Sequence, residues 1–158
     1  MTAIDFTESE DEARNAAPGI AWAIALAGFL PFAAIAAALA IAGGASALTE
    51  LLADAFRVWS LAVLSFLGGI RWGVTILRRD VTRWQMIWPV LPAILGWTAM
   101  FLPHAWAVVV LLVAYCAMGA WDSLSAQRGE MPGWYGNLRI VLTLLVAATH
   151  LVAFAVLA

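Results

Sequence analysis

The sequence predicts an all-α, polytopic membrane protein, a bundle of about five transmembrane helices. Three observations predict it. The residues are 65% hydrophobic and 11% charged, where a soluble domain has about 45–50% and about 25%. Mean hydropathy is +0.93, more apolar surface than a water-soluble core of this size can hide. Five stretches approach the roughly 20 apolar residues that a helix needs to cross hydrocarbon, and most of the charges fall between or before them.

Residues 1–18 form an acidic segment with Asp5, Glu8, Glu10, Asp11 and Glu12 against a single Arg14. It has too little apolar surface to offset its ordering entropy, so it is expected to be a disordered tail. It matches neither an Arg-rich transit peptide nor a signal peptide with a basic start and a short apolar core. Residues 19–158 are then one transmembrane domain, with no linker and no internal repeat.

The first span runs from about Ile20 to Ile41 without a charge, and Pro31 in its middle is expected to kink it by removing one backbone bond. Gly43-Gly44 ends it. The second span covers about Ala55 to Leu77 and carries Arg57 and Arg71, and the turn Arg78-Arg79-Asp80 with Arg83 follows. A third, about Trp84 to Leu102, contains Pro89 and Pro92 and is expected to be bent near its start. Pro103-His104 reverses the chain into the fourth, which ends about Trp121. A polar loop from Asp122 to about Asn137 precedes the fifth, from Leu138 onward.

Arginine sets the orientation, since the positive-inside rule counts Lys and Arg rather than net charge. Five spans place Arg14, the Arg78–Arg83 turn, Arg128 and Arg139 on one side and only Arg57 near the other. The expectation is an inside N-terminus and an outside C-terminus. Inside is the cytoplasm, or the matrix if the membrane is mitochondrial. Trp84, Trp106, Trp121 and Trp134 lie near span ends, where indoles settle among headgroups.

One charge falls well away from the ends of its span. Arg71 lies two helical turns before Arg78, about 10 Å beneath the charged turn, and an arginine in hydrocarbon costs at least about 2.5–3.5 kcal/mol unless it finds a partner. Asp122, at the same end of the fourth span, is the natural one. A structural contact with Asp122 or a backbone carbonyl is expected. Snorkelling to the interface and contact with a solute or ion are the alternatives.

Around Arg71, Ser65, Gly69 and Gly73 recur every fourth residue and form a stripe where another helix backbone can approach closely. The seam is expected to close inside the bundle, the alternative being a contact with a second copy or another membrane protein. Cys116, alone, makes no intrachain disulfide. His104 and His150 can in principle ligate a haem or metal on neighbouring helices, but no Cys/His cluster or Glu-x-x-His accompanies them, and hydrogen-bonded packing is the expectation. No phosphate loop, nucleophile elbow or metalloprotease helix occurs, and no basic surface suits a nucleic acid. The expectation is no catalytic residue, no metal and no cofactor.

Several segments resemble the transmembrane-protein-69-like family. They are Pro31-Phe32, the run from Leu64 to Gly73 with Gly68, Gly69, Arg71 and Trp72 at its heart, Trp88-Pro89 with Leu91-Pro92, and Pro132-Gly133-Trp134-Tyr135 with Leu138-Arg139 and Leu142-Thr143. The resemblance covers most of residues 20 to 150, and it implies a small multi-pass membrane protein of bacteria or mitochondria carrying a domain of unknown function. Trp59 stands where the family would have a tyrosine, and neither histidine belongs to the pattern. The candidate functional residues are thus Ser65, Gly68, Gly69, Arg71, Trp72, Gly73, Asp122, Trp134, Tyr135 and Arg139. The expected role is a non-enzymatic accessory or assembly partner of a membrane complex, with a small transporter or channel for an anionic or lipophilic solute as the alternative.

Overall fold

The computed structural model describes residues 17–44 and 46–158 in full, and residues 3–16 only as part of a helix. The acidic segment expected to be disordered lies, up to Ala16, outside the residues described in full. Six helices follow in order: α1 Ala3–Ala42, α2 Ala47–Ile76, α3 Arg83–Ile87, α4 Leu91–Ala99, α5 His104–Gln127 and α6 Gly133–Leu157, with a 3-10 turn at Trp88–Val90 between α3 and α4. The described residues contain no strand.

Local chemistry sets the ends. Gly43 and Gly44 take φ of 51° and 67°, the left-handed region that ends a helix without a Cβ penalty. Ser46 caps α2, its side chain accepting from the Thr49 amide at 3.1 Å. Gly129, at φ 75°, closes α5 in the same way. α1 continues through Pro31 without a break.

Four helices are long and apolar enough to cross a membrane: Ala17–Ala42 within α1, then α2, α5 and α6. The third expected span departs from this. Residues 83–99 form two short helices of 5 and 9 residues joined by the 3-10 turn. Pro89 and Pro92 lack the amide hydrogens that would carry an i to i−4 ladder across this stretch. Hydropathy marks the stretch as apolar without recording that its backbone bonds are interrupted.

The broken unit still runs antiparallel to α2 over much of its length. A Cβ on Gly68 would lie 2.5 Å from the Pro89 carbonyl oxygen, and one on Gly96 would lie 2.7 Å from the Leu61 side chain. Further along, Nη1 of Arg57 donates to the Leu102 carbonyl at 3.0 Å. α5 and α6 make the most extensive pairing, α1 lies against α6 and α2, and α4 fits between α2 and α5. The α2–α3 and α5–α6 connections, with Arg78, Arg79, Arg83 and Arg128, thus share one end of the bundle, and Asp54 and His104 share the other.

The core is apolar and aromatic. Phe32, Phe56 and Tyr115 surround His150, with ring centroids 4.8–5.8 Å from it. Outside, Ile24, Phe66, Val113, Leu144 and Leu151 are each more than half exposed, on all four long helices. Helices with apolar side chains outward as well as inward suit a lipid solvent.

Candidate functional site

Three helices meet at one carboxylate. Asp122 on α5 is fully buried, and Arg71 on α2 and Arg139 on α6 are each 4% exposed. Nε of Arg71 lies 2.9 Å from Oδ1 of Asp122, and Nε of Arg139 donates to Oδ2 at 2.7 Å. The first contact is a close charge pair without a directed hydrogen bond; the second is directed.

α5 and the loop after it hold the rest of the Arg71 guanidinium. Its Nη2 donates to the Trp121 carbonyl at 3.0 Å and to the Ser125 hydroxyl, and Nη1 lies 3.6 Å from Sδ of Met131. The Trp121 ring lies 4.4 Å from Cζ, a cation–π contact. Tyr135, one turn before Arg139, turns its hydroxyl toward Oδ2 of Asp122 at 3.4 Å. Arg71, five residues before the end of α2, is too deep to meet water except by a long reach, so carbonyl, hydroxyl and carboxylate replace it. Two guanidiniums on one carboxylate leave one positive charge in excess.

Close backbone approach makes this geometry available. A Cβ on Gly119 of α5 would collide with the Thr143 hydroxyl of α6, and one on Gly136 of α6 would lie 2.7 Å from Cβ of Ala126 on α5. These two contacts flank the Asp122–Arg139 pair, one at the level of each neighbouring turn. Small residues let two backbones approach closely, which brings a short Asp within reach of the neighbouring helix.

The structure thus brings Arg71, Asp122, Tyr135 and Arg139 into one cluster. Trp134 is half-buried beside it, and Trp72 points outward at 44% exposure. The glycine stripe is a correction. Gly69 and Gly73 are exposed, with nothing within 4 Å of a Cβ placed on either, and Ser65 is half-buried. The seam inside the bundle runs through Gly68 instead, in register with Leu64, Arg71 and Thr75 on the buried face of α2. Small residues at i, i+4, i+8 share a face, but the pattern does not say which way that face points.

Arg139, expected at the very start of the fifth span, lies six residues inside α6, because the helix begins at Gly133. The signal for this was Arg139 between Leu138 and Ile140, one turn beyond Tyr135 on the same face. Ser125 and Met131 were not singled out, and no spacing rule marks them. The histidines have separate surroundings: His104 contacts Glu50 at 3.4 Å and Asp54 at 3.1 Å, and His150 sits by Val146 and Ser60.

Arg71, Tyr135 and Arg139 lie in the segments through which the sequence resembles a known family, and Asp122 lies between two of those segments. A family profile described as "Protein of unknown function (DUF3429)" matches residues 17–155. The chain belongs to this DUF3429 family. It is also similar to Transmembrane protein 69 of Xenopus tropicalis, 28% identical over 144 residues, which cover 89% of this chain and 55% of the relative. The chain spans about half the length of the curated relative it matches. No solved structure matches it. Four apolar helices and these relationships make this DUF3429 chain an integral, multi-pass membrane protein with a helical bundle.

Proposed function

We propose that the protein is a non-enzymatic accessory or assembly partner of a membrane complex. It resides in a bacterial inner membrane, or in the mitochondrial inner membrane if the source is eukaryotic. One observation carries this reading. The buried charges are engaged with one another inside the bundle, whereas the Ser65/Gly69/Gly73 face is left open, with nothing within 4 Å of a Cβ on Gly69 or Gly73. A small-residue face of this kind accepts a helix of a second protein or of a second copy.

The proposed topology has five crossings, an inside N-terminus and an outside C-terminus. The broken α3–α4 unit accompanies α2 from near the arginine-rich end to Leu102, which supports counting it as a crossing. Arg78, Arg79, Arg83 and Arg128 at one end, against Arg57 near the other, support the orientation. A periplasmic reporter fused after Ala158 is expected to be active, and activity of a cytoplasmic reporter there would reverse the assignment.

Gly69→Leu tests the accessory role. Open space around Gly69 lets the variant fold, so the expected outcome is a normal monomer that no longer co-purifies in a larger complex at native expression. A wild-type protein that is strictly monomeric, or a complex indifferent to Gly69→Leu, would sink the proposal. The transporter reading keeps one observation in its favour, an apolar groove bordered by Arg139. Arg71, which that reading had made the solute contact, is closed off by Trp121, Asp122, Ser125 and Met131.

A further inference from the structure

The groove has a volume of about 570 Å³ and is lined by Gly28 and Phe29 of α1, Trp59 and Phe66 of α2, and Leu142 and Val146 of α6. This lies within the roughly 300–1,000 Å³ of small-molecule sites. Phe66 is 66% exposed at its rim, so the groove is open on the lipid-facing side. Its lining is almost wholly apolar until the arginine-rich end, where Trp134, Tyr135 and Arg139 border it.

Arg139 is incompletely satisfied. Its Nε is held by Asp122, but Nη2, fully buried, has no hydrogen-bond partner among the described residues, and neither does the Thr143 hydroxyl one turn further along the same wall. Leaving a buried donor unpaired is costly, and more so when it is charged. The next acid toward that end, Glu130, is paired with Arg78 at 3.3 Å and does not balance the excess positive charge of the cluster. An apolar channel, an unpaired guanidinium donor and a surplus positive charge are complementary to an amphiphile with an acidic head.

We propose that this groove is a binding site for an anionic phospholipid, drawn from the leaflet at the arginine-rich end. One acyl chain lies along Phe29, Trp59, Phe66 and Val146, and the phosphate draws the Arg139 guanidinium toward the interface. Trp134 and Tyr135, at the start of α6, occupy the level at which aromatic side chains sit among headgroups. The groove borders the Gly69 face, since Phe66 lies three residues before Gly69 and Ile70 three before Gly73, but its α1 wall at Gly28 can be altered without touching that face.

Native mass spectrometry of the full chain, released from nanodiscs of equal phosphatidylglycerol and phosphatidylcholine, tests the proposal. The expected result is one phosphatidylglycerol retained per chain, favoured about tenfold over phosphatidylcholine, whose equivalent phosphate is offset by a quaternary ammonium that the surplus positive charge of the cluster disfavours. Arg139→Lys should weaken retention, since an ammonium lacks the fork that reaches carboxylate and phosphate together. Arg139 also holds Asp122, so a second variant avoids the cluster. A Cβ on Gly28 meets nothing within 4 Å, and Gly28→Phe fills the groove while its carbonyl keeps the bond from Trp59 Nε1 at 3.3 Å. Gly28→Phe should abolish retention with the melting temperature unchanged. Equal retention of the two lipids, retention of a neutral isoprenoid lipid instead, no retained lipid, or retention indifferent to Gly28→Phe would each overturn the proposal.

Discussion

Oδ2 of Asp122 accepts from Nε of Arg139 at 2.7 Å while the other oxygen of the same carboxylate faces Arg71 at 2.9 Å. One acid therefore ties α5 to both α2 and α6. A buried ion pair adds little net stability over a well-packed apolar substitute, but removing one partner is costly, about 3–5 kcal/mol, because the other charge is left unpaired. The asymmetry ranks the variants.

Asp122→Ala strands two guanidiniums, whereas Arg71→Ala and Arg139→Ala each leave the carboxylate one partner. Asp122→Ala should be the most damaging of the three, by at least about 3 kcal/mol. Fluorescence-detected size exclusion in mild detergent, with melting of the monodisperse fraction, checks the order. A triple variant with Asp122→Leu, Arg71→Met and Arg139→Met should recover much of the folded yield. Normal abundance of both Arg71→Ala and Asp122→Ala would mean that the cluster is not structural.

Arg71→Lys keeps the charge and loses the geometry. The guanidinium reaches the Trp121 carbonyl, Ser125, Asp122 and the Trp121 ring at once, and an ammonium on a flexible stem reproduces only part of that set. The expected result is a melting temperature between those of the wild type and Arg71→Ala. Equality with the wild type would show that only charge matters at this position.

The sequence carried the cluster unevenly. Arg71 and Asp122 were legible as a pair, because each sits one or two turns from the same charged end and a charge in hydrocarbon needs a partner. Arg139 was legible as part of the family-like signature but not as a partner of Asp122, because only the three-dimensional approach of α5 and α6 brings the two together. Four apolar helices were legible from length and hydropathy. The interruption at Trp88–Val90 was legible as a bend, from Pro89 and Pro92, but its division of the stretch into two short helices was not, because composition does not report how many backbone bonds are lost. Gly68 and Gly69 are adjacent and alike in sequence. Only the position of Pro89 tells which of them faces the bundle.

Acid should weaken the α2–α6 end in a defined direction. Burial alone would raise the Glu130 carboxyl, but hydrogen bonding from Ser125 and the nearby Arg78 guanidinium hold it below the ordinary 4.5. A depressed folded-state value stabilises the fold above the unfolded value and loses that contribution as pH falls through the folded one. Arg78 and Glu130 are both partly exposed, so the effect is small and screened by salt. At neutral pH, Glu130→Gln should melt slightly below the wild type, and the difference should vanish as pH falls well below 4.5. A difference that persists in acid would mean that the loop is held by something other than this carboxylate.

Glycines give the sharpest contrast, because equal substitutions are expected to have unequal effects. Gly119→Ala, Gly136→Ala and Gly68→Ala each place a Cβ against Thr143, Ala126 or the Pro89 carbonyl, with no room to receive it. Overpacking of this kind typically costs about 1–3 kcal/mol. Gly69→Ala and Gly73→Ala meet open space and should leave the melting temperature unchanged or slightly raised, since alanine also favours the helix over glycine. Thr143→Ala should partly rescue Gly119→Ala by removing the atoms in the way. It should not rescue Gly136→Ala, whose obstacle is Ala126. If the rescue failed while the single costs were as expected, the α5–α6 approach would be held by the backbones themselves rather than by the Gly119–Thr143 contact.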